Sequence, residues 1–436
     1  MKRLYIETYG CQMNVADSEL MFGVLGAHGY VRVEDPATAD VMLVNTCAVR
    51  DHAEQRVAGR VGELMRHKRA GSVLGVVGCM AQRLGGKLLD QVERLDIVVG
   101  PDAYRNLPQL IEDASEGRRA ADTDFRGWEH YEDVPPAREP GPTAFVTVQR
   151  GCDYKCTFCI VPYTRGPERS RQLAEVVREV RGLANDGITE VTLLGQTVNS
   201  YHDGVADFAD LLRAVGEVDG IRRIRFTSPY PTDFTERVIE AMATVPAVCE
   251  HVHLPVQSGS NQVLKRMLRR YTRERYLEVV GSLRQAMPSV TLSTDIIVGF
   301  PGETDAQFDE TLSLVEEAAF DDAYTFRYSL REGTPAVRLG DAVPDGIAAT
   351  RLDRLVTVAR RQTRQKNIER VGTVHEVLVE QPAKRGGMLG RTRTNLLVML
   401  DLGPESIGQY HKVRLTGTTG STFSGTIIAQ PALTVL

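Results

Sequence analysis

Seven cysteines occur in 436 residues, and six of them fall into two triplets. The compact triplet reads Gly151-Cys152-Asp153-Tyr154-Lys155-Cys156-Thr157-Phe158-Cys159, a C-x3-C-x2-C run. Three thiolates this close can wrap one side of an iron–sulfur cube, leaving the fourth iron open to an outside ligand. Zinc fits less well: it takes four protein ligands, or three and a catalytic water, and paired C-x2-C units are absent from the sequence. A disulfide framework does not suit a long chain with few cysteines and one left over.

The other triplet is spread out. Cys11 lies in Gly10-Cys11-Gln12-Met13-Asn14, Cys47 in Asn45-Thr46-Cys47-Ala48, and Cys79 in Gly78-Cys79-Met80. Each follows an apolar, strand-like run (Leu4 to Ile6, Val41 to Val44, Val73 to Val77) and precedes a helix-like stretch. In an open α/β sheet the carboxyl ends of the strands share one edge, where ligands bind. Three thiols in equivalent places of successive units would converge there. Three unrelated buried cysteines are the plain alternative, since free cysteine is among the most buried residue types.

These positions require a scaffold, and the chain supplies strand–helix alternation. Residues 1–117 read as a doubly wound α/β domain with helices near Asp17 to His28, Ala53 to Ala70, Gln82 to Gln91 and Tyr104 to Asp113. Residues 118–142 hold four prolines, many charges and the single tryptophan, Trp128, and read as a linker. Residues 143–371 repeat strand then helix six times, as a partial (β/α)6 barrel whose site lies at the carboxyl ends of its strands. Its strands are placed at Phe145 to Gln149, Glu190 to Leu194, Arg223 to Thr227, Glu250 to Val256, Thr291 to Val298 and Ala323 to Tyr328. One helical pattern runs from Asn261 to Met287. Residues 372–436 carry four strand-like runs between Gly-rich turns, the pattern of a small antiparallel β-barrel.

Net charge is −5, which alone argues against nucleic acid. Its distribution argues otherwise: Arg351 to Leu436 holds 13 Lys+Arg against 6 Asp+Glu. A basic C-terminal module on an acidic body follows, with Arg385, Arg391, Arg393, Lys412 and Arg414 as candidate phosphate contacts. A structural or oligomerisation barrel is the alternative. The first residues lack the apolar core of a signal peptide, and no run reaches membrane-span length. A cytoplasmic protein with no membrane partner is expected.

The compact run, placed just after a strand, resembles the radical S-adenosylmethionine (SAM) enzymes. In those, SAM binds the open iron, and an electron from the cluster cleaves it to a 5′-deoxyadenosyl radical. That resemblance implies a catalytic role for Cys152, Cys156 and Cys159. Polar groups after the barrel strands become candidates for holding SAM: Gln196 and Asn199 after the second, Gln257 and Ser258 after the fourth, and Asp295 and Phe300 at the fifth. Gly259 would let a ligand approach the backbone, and Phe300 would pack the adenine. Arg165 could orient SAM or the cluster, pair with a substrate phosphate, or form a structural salt bridge. His251 and His253 read as core or hydrogen-bonded histidines and Cys249 as a small buried residue.

Taken in order, Gly10-Cys11-Gln12-Met13-Asn14, Asn45-Thr46-Cys47, Gly78-Cys79, the C-x3-C-x2-C run, Val161-Pro162-Tyr163-Thr164-Arg165-Gly166 and Pro255-Val256-Gln257-Ser258-Gly259-Ser260 resemble the methylthiotransferases over nearly the whole chain. Thr197 departs from the asparagine expected between Gln196 and Val198. The resemblance implies an N-terminal cluster domain, a radical SAM core and a C-terminal TRAM domain that binds RNA. It implies two [4Fe-4S] clusters, one on Cys11, Cys47 and Cys79 and one on Cys152, Cys156 and Cys159, with SAM as cosubstrate. The implied reaction places a methylthio group on C2 of an N6-isopentenyl adenosine beside the tRNA anticodon. Implied partners are the tRNA anticodon stem-loop, an electron donor such as flavodoxin or ferredoxin, and a sulfur source. The alternatives are a sister enzyme acting on threonylcarbamoyl-adenosine tRNA or a ribosomal-protein aspartate, and a non-enzymatic iron–sulfur RNA-binding protein. Product analysis separates the first, and SAM cleavage the second.

Overall fold

The computed structural model describes residues 1–48 and 59–428. Its N-terminal sheet has six parallel strands in the order Tyr30–Arg32, Lys2–Tyr9, Val41–Thr46, Val73–Gly78, Ile97–Val99, Ala120–Asp122. Every residue of Val41–Thr46 and Val73–Gly78 is buried, as expected where both faces of a sheet are covered. Leu4, Leu43 and Val77 pack on one face, and Met42, Val44 and Val76 on the other. The strand order reverses between Lys2–Tyr9 and Val41–Thr46, and the carboxyl edge at such a reversal is where open α/β sheets bind ligands.

The first helix runs Gln12–Gly26, starting five residues ahead of the expected Asp17. Cys11 caps it, and its backbone N–H donates to Asn14 Oδ1 at 3.3 Å. The start of the expected helix from Ala53 lies outside the described residues; residues 59–64 are helical. The stretch 118–142 is more than a crossing. Ala120–Asp122 adds the sixth strand, and the buried Tyr131 donates its hydroxyl to Pro101 O at 2.9 Å. Trp128 stays exposed.

The central body is a barrel of two three-stranded parallel sheets. One holds Thr143–Thr147, Glu190–Leu194 and Arg223–Phe226, the other His251–His253, Thr291–Val298 and Asp322–Arg327. A parallel bridge from Ile224 to Val248 joins them. Val146, Leu193, Ile224, Val252, Leu292 and Ile296 enter one core with the surrounding helices. By strand alternation, Phe145, Leu194, Arg223, Arg225, His253 and Asp295 face the lumen. The fourth strand is shorter than expected, because Pro255 cannot donate to a ladder and Gln257 takes a positive φ of 68°. The long helix expected from Asn261 to Met287 is two, Asn261–Arg266 and Arg273–Ala286, broken where Leu268 sits at φ 55°.

The C-terminal barrel closes on five strands, not four: Val374–Pro382, Met388–Thr392, Leu397–Leu400, Tyr410–Thr418 and Thr422–Ile427. It is not wholly antiparallel, since Leu397–Leu400 pairs in parallel with Thr422–Ile427. An odd number of strands cannot alternate direction around a closed ring, so one parallel pair is unavoidable.

This barrel plugs the amino end of the central lumen. Arg223, fully buried, donates to Arg391 O at 2.8 Å and Glu376 O at 2.9 Å. Arg225 donates to Thr392 O at 2.8 Å and to Glu190 at 2.8 Å. Two expected phosphate contacts are consumed here: Arg393 pairs with Glu250 at 2.9 Å, and Arg391 with Glu380 at 3.0 Å. The basic helix Asp345–Glu369 is also largely neutralised. Arg351 pairs with Glu303 at 2.9 Å, Arg354 with Asp309 at 2.9 Å and Arg361 with Glu316 at 2.9 Å. Lys384, Arg385, Lys412 and Arg414 remain exposed on the barrel, Arg414 donating to Gly372 O at 2.9 Å. Among the described residues, no helix is long and apolar enough to cross a membrane.

Arg223→Ala should leave two barrel carbonyls without their guanidinium donor in a dry interface, while Glu190 keeps Arg225, a loss of roughly 1–3 kcal/mol per buried acceptor left unsatisfied. The expected outcome is a lower unfolding temperature and faster tryptic release of the C-terminal barrel.

Candidate active site

The first triplet forms because three neighbouring parallel strands end level. Tyr9 pairs with Thr46, and Thr46 with Gly78, so the residues that follow stand abreast. Cys47 and Cys79 come directly after their strands, and Cys11 follows Gly10. Gly10 has no side chain for a reason: a Cβ there would sit 2.9 Å from Cys47 Cβ and would collide with Asn14. Asn14 and Asn45 brace the edge, with Asn14 Nδ2 donating to Asn45 Oδ1 at 3.0 Å. A hydrogen bond from Cys47, helped by the Arg165 charge, draws the Cys11 thiol down to about 6 against the effect of burial. Cys79 is fully enclosed, and burial raises it.

The second triplet lies in the loop after the first barrel strand. Cys152 and Cys156 are buried and Cys159 is half-buried. Burial pushes Cys152 up to about 11 and Cys159 up to about 12. Arg269 Nη1 donates to Cys156 Sγ at 3.4 Å, and the Thr197 hydroxyl approaches Cys152 Sγ at 3.9 Å. Thr197 also donates to Glu168 at 3.1 Å, as does Ser200 at 2.8 Å. Tyr154 stacks on Tyr230 at 3.8 Å between ring centroids.

The two triplets face one another. Ile160, next to Cys159, packs with Ala48 and Cys79. Arg331 Nη1 donates to Ala48 O at 2.6 Å. The fully buried Asp17 accepts from Arg150 at 3.1 Å and from Arg165 at 2.7 Å. Two guanidiniums therefore share one carboxylate beside Cys11 and Cys79. Their surplus positive charge suits an anionic thiolate-bound group at that edge. Among the described residues, no three His, Cys, Asp or Glu side chains gather tightly enough to hold a metal ion. That is not the spacing a cube requires, since a cube takes each thiolate on a separate iron.

The residues expected to hold SAM divide. Gln196 is half-buried, and its Oε1 has no hydrogen-bond partner. Asp295 faces the lumen, with its carboxylate 3.4 Å from His253 Nε2. Gln257 is buried; its backbone pairs with the fifth strand through Asp295 O and Ile297 N–H at 2.9 Å each. Asn199 is spent on structure: Tyr230 N–H donates to its Oδ1 at 2.7 Å, and its Nδ2 donates to Tyr230 O at 2.9 Å. Ser258 does not face the barrel mouth. It is fully buried against Thr311 at 3.3 Å, on the helix Asp305–Ala318. Gly259 serves that same packing, since a Cβ would lie 2.5 Å from Thr311 Cα. Phe300 is also fully buried, packed among Val263, Met267 and Ala336 rather than open to an adenine ring. Arg165 is neither exposed nor aimed at a phosphate; Asp17 holds it. Cys249 is buried at the far end of the barrel beside Arg225 and Glu190. The sequence reading missed Asp17, Glu168 and Arg269. Only their closeness to the cysteine motifs in space, which their spacing along the chain hides, would have singled them out.

In the metal-free protein, Cys11 should be alkylated by iodoacetamide at neutral pH well ahead of Cys152 and Cys159, because the thiolate is the nucleophile. Its labelling should fall away below about pH 6, where the thiolate is lost. Peptide-resolved mass spectrometry reads the order.

Comparison with known proteins covers all three modules. The radical SAM superfamily matches residues 146–315, the uncharacterized protein family UPF0004 matches residues 3–100, and the TRAM domain matches residues 369–428. The tRNA-2-methylthio-N(6)-dimethylallyladenosine synthase of Porphyromonas gingivalis is 43% identical over 99% of this chain and 96% of its own. The protein of that name from Chloroherpeton thalassium is 42% identical over 97% of this chain and 95% of its own. Among solved structures, the radical SAM methyltransferase TsrM from Kitasatospora setae superposes with a TM-score of 0.58 at 16% identity, covering 77% of this chain and 74% of its own. That likeness concerns the fold. Near-full-length identity above 40% to such relatives places the chain plainly: it belongs to the tRNA-2-methylthio-N(6)-dimethylallyladenosine synthase family.

Proposed function

We propose that the protein adds a methylthio group to C2 of N6-dimethylallyladenosine beside the anticodon of tRNA. The observation that carries this reading is the packing of Cys79 and Ala48 from the N-terminal domain against Ile160, the neighbour of Cys159 on the barrel's cysteine loop. Cys152, Cys156 and Cys159 would hold one [4Fe-4S] cluster, and Cys11, Cys47 and Cys79 a second. When bound, these groups supply the electron that cleaves SAM to a carbon radical, and a seat for the sulfur to be transferred.

The chain's own residues do the rest. Buried thiols near 11 and 12 must lose protons as metal binds, so loading favours alkaline conditions. The Asp17 clamp fixes the two triplets relative to each other. Met13 and Ala16 of the first helix pack with Phe145 and Leu194, covering part of the lumen and keeping water from a radical. His253 and Asp295 give the lumen a polar edge that can orient a base. The base must leave its stack to enter, and single-stranded loops allow this. Exposed Lys384, Arg385, Lys412 and Arg414 are the barrel's remaining candidates for binding phosphate. Flavodoxin or ferredoxin as electron donor, a separate sulfur source and a cytoplasmic location complete the reading.

Anaerobically reconstituted protein, given SAM, dithionite, sulfide and prenylated tRNA, should yield the 2-methylthio nucleoside by mass spectrometry. Unprenylated or threonylcarbamoylated tRNA should yield none; product from the latter would transfer the chain to the sister activity. Alanine at Cys152, Cys156 and Cys159 should remove about half the iron and all SAM cleavage. Alanine at Cys11, Cys47 and Cys79 should remove a similar share of iron and all methylthio product, while SAM cleavage continues. Glutamate at Lys384, Arg385 and Lys412 should weaken tRNA binding and flatten its salt dependence by roughly one log unit per log unit of salt for each phosphate no longer neutralised. Filter binding across a salt series measures it.

A further inference from the structure

The segment behind the compact cysteine loop has an unusual surface. Lys265-Arg266-Met267-Leu268-Arg269-Arg270 holds four cations in six residues. It packs directly on the loop. Thr157 N–H donates to Met267 O at 3.0 Å, and its hydroxyl donates to Arg266 O at 2.9 Å. Arg269 reaches Cys156 Sγ, and the Arg270 guanidinium lies 5.2 Å from the Tyr154 ring. Lys155, on the cysteine loop itself, is exposed, as are Lys265 and Arg270. Carboxylates nearby are largely engaged. Asp153 accepts from Glu168 N–H at 3.0 Å, Asp233 is held by Tyr154, and Asp341 lies 3.7 Å from Arg266.

In the middle of these cations, Leu268 is 52% exposed and held at φ 55°. The left-handed leucine ends the helix Asn261–Arg266, with Leu268 N–H donating to Lys265 O at 3.0 Å and Arg269 N–H to Leu264 O at 2.9 Å, and this cap leaves the apolar side chain in solvent. An apolar centre with a charged rim is the composition of a transient protein interface. This patch meets the loop at Cys156 and Thr157, whereas the N-terminal domain meets it at Ile160. The substrate side and the patch therefore touch different parts of the loop.

We propose that Lys155, Lys265 and Arg270, around Leu268, form the docking surface for an acidic one-electron carrier protein that reduces the group held by Cys152, Cys156 and Cys159. The inference rests on the radical reading above. One electron leaves the reduced carrier, which is oxidised, and enters at the cysteine loop that the patch covers. Opposite charge steers such an encounter to a segment whose Arg269 lies 3.4 Å from Cys156 Sγ.

The test uses the reconstituted full-length enzyme and reduced flavodoxin as the probe. Glutamate at Lys155, Lys265 and Arg270 together should weaken flavodoxin binding by at least about tenfold at low salt and flatten its salt dependence. Flavodoxin hydroquinone oxidation, followed by stopped flow, should slow in step. Dithionite-driven SAM cleavage, which needs no docking, should stay within about twofold of the parent. Leu268→Gly relieves the strained conformation, so it should leave the unfolding temperature no lower while still weakening flavodoxin binding. Unchanged flavodoxin affinity in both variants would overturn the proposal. So would a variant that keeps flavodoxin affinity but loses tRNA affinity, which would assign the patch to RNA. Absence of dithionite-driven cleavage in the parent enzyme would instead defeat the radical reading.

Discussion

Asp17 holds the molecule's functional halves in register. Its carboxylate is fully buried and takes one guanidinium from Arg150, at the end of the first barrel strand region, and one from Arg165, in the helix after the cysteine loop. Asp17 itself rides on the helix that Cys11 caps. One carboxylate therefore links the N-terminal edge, the barrel and the cysteine loop. Removing a single partner of such a group leaves uncompensated buried charge, so the three elements cannot drift independently. The excess cation left by two arginines on one aspartate falls beside Cys11 and Cys79, where negative thiolates belong.

A second layer of organisation lies at the other end of the barrel. Arg223 and Arg225 are lumen-facing residues that a soluble interior would normally reject. They are tolerated because the C-terminal barrel brings backbone carbonyls to them and Glu190 lies between. The lumen is thus sealed at its amino end by hydrogen bonds to main-chain oxygen, a partner independent of side-chain identity. The Arg393 side chain belongs to this seal and the Arg391 side chain pairs with Glu380 within the small barrel, which is why basic residues that read as an RNA surface turn out to be structural.

Much of the scaffold was legible in the sequence, because strands buried on both faces, such as Val41–Thr46 and Val73–Gly78, announce themselves as continuous apolar runs. Cysteines placed directly after such runs led to the convergence seen at the sheet edge. What stayed hidden was long-range. Asp17 looks like a solvated helix acid until Arg150 and Arg165 arrive from more than 130 residues away. Ser258, Gly259 and Phe300 look like mouth residues because they follow strands, yet the chain turns them onto the helix Asp305–Ala318 and the segment around Met267. Leu268 breaks an apparently continuous helix, and no propensity forecasts a leucine at positive φ. Met388–Thr392 escaped notice because a short strand containing Gly390 reads as turn.

The two ends of the fifth barrel strand set a length. Thr291 touches the C-terminal barrel through Thr394 O at 2.7 Å, while Val298 leads into Phe300, packed behind the cysteine loop with Met267. Eight residues of strand at about 3.3 Å each separate the two by roughly 25 Å. An RNA gripped on the small barrel and offering a base between the triplets must bridge that separation along the flank of the protein. A stem-loop several base pairs tall can do so, and a free nucleoside or a trinucleotide cannot. On the proposed function, that strand sets the minimum height of any substrate held at the small barrel and at the cysteines together.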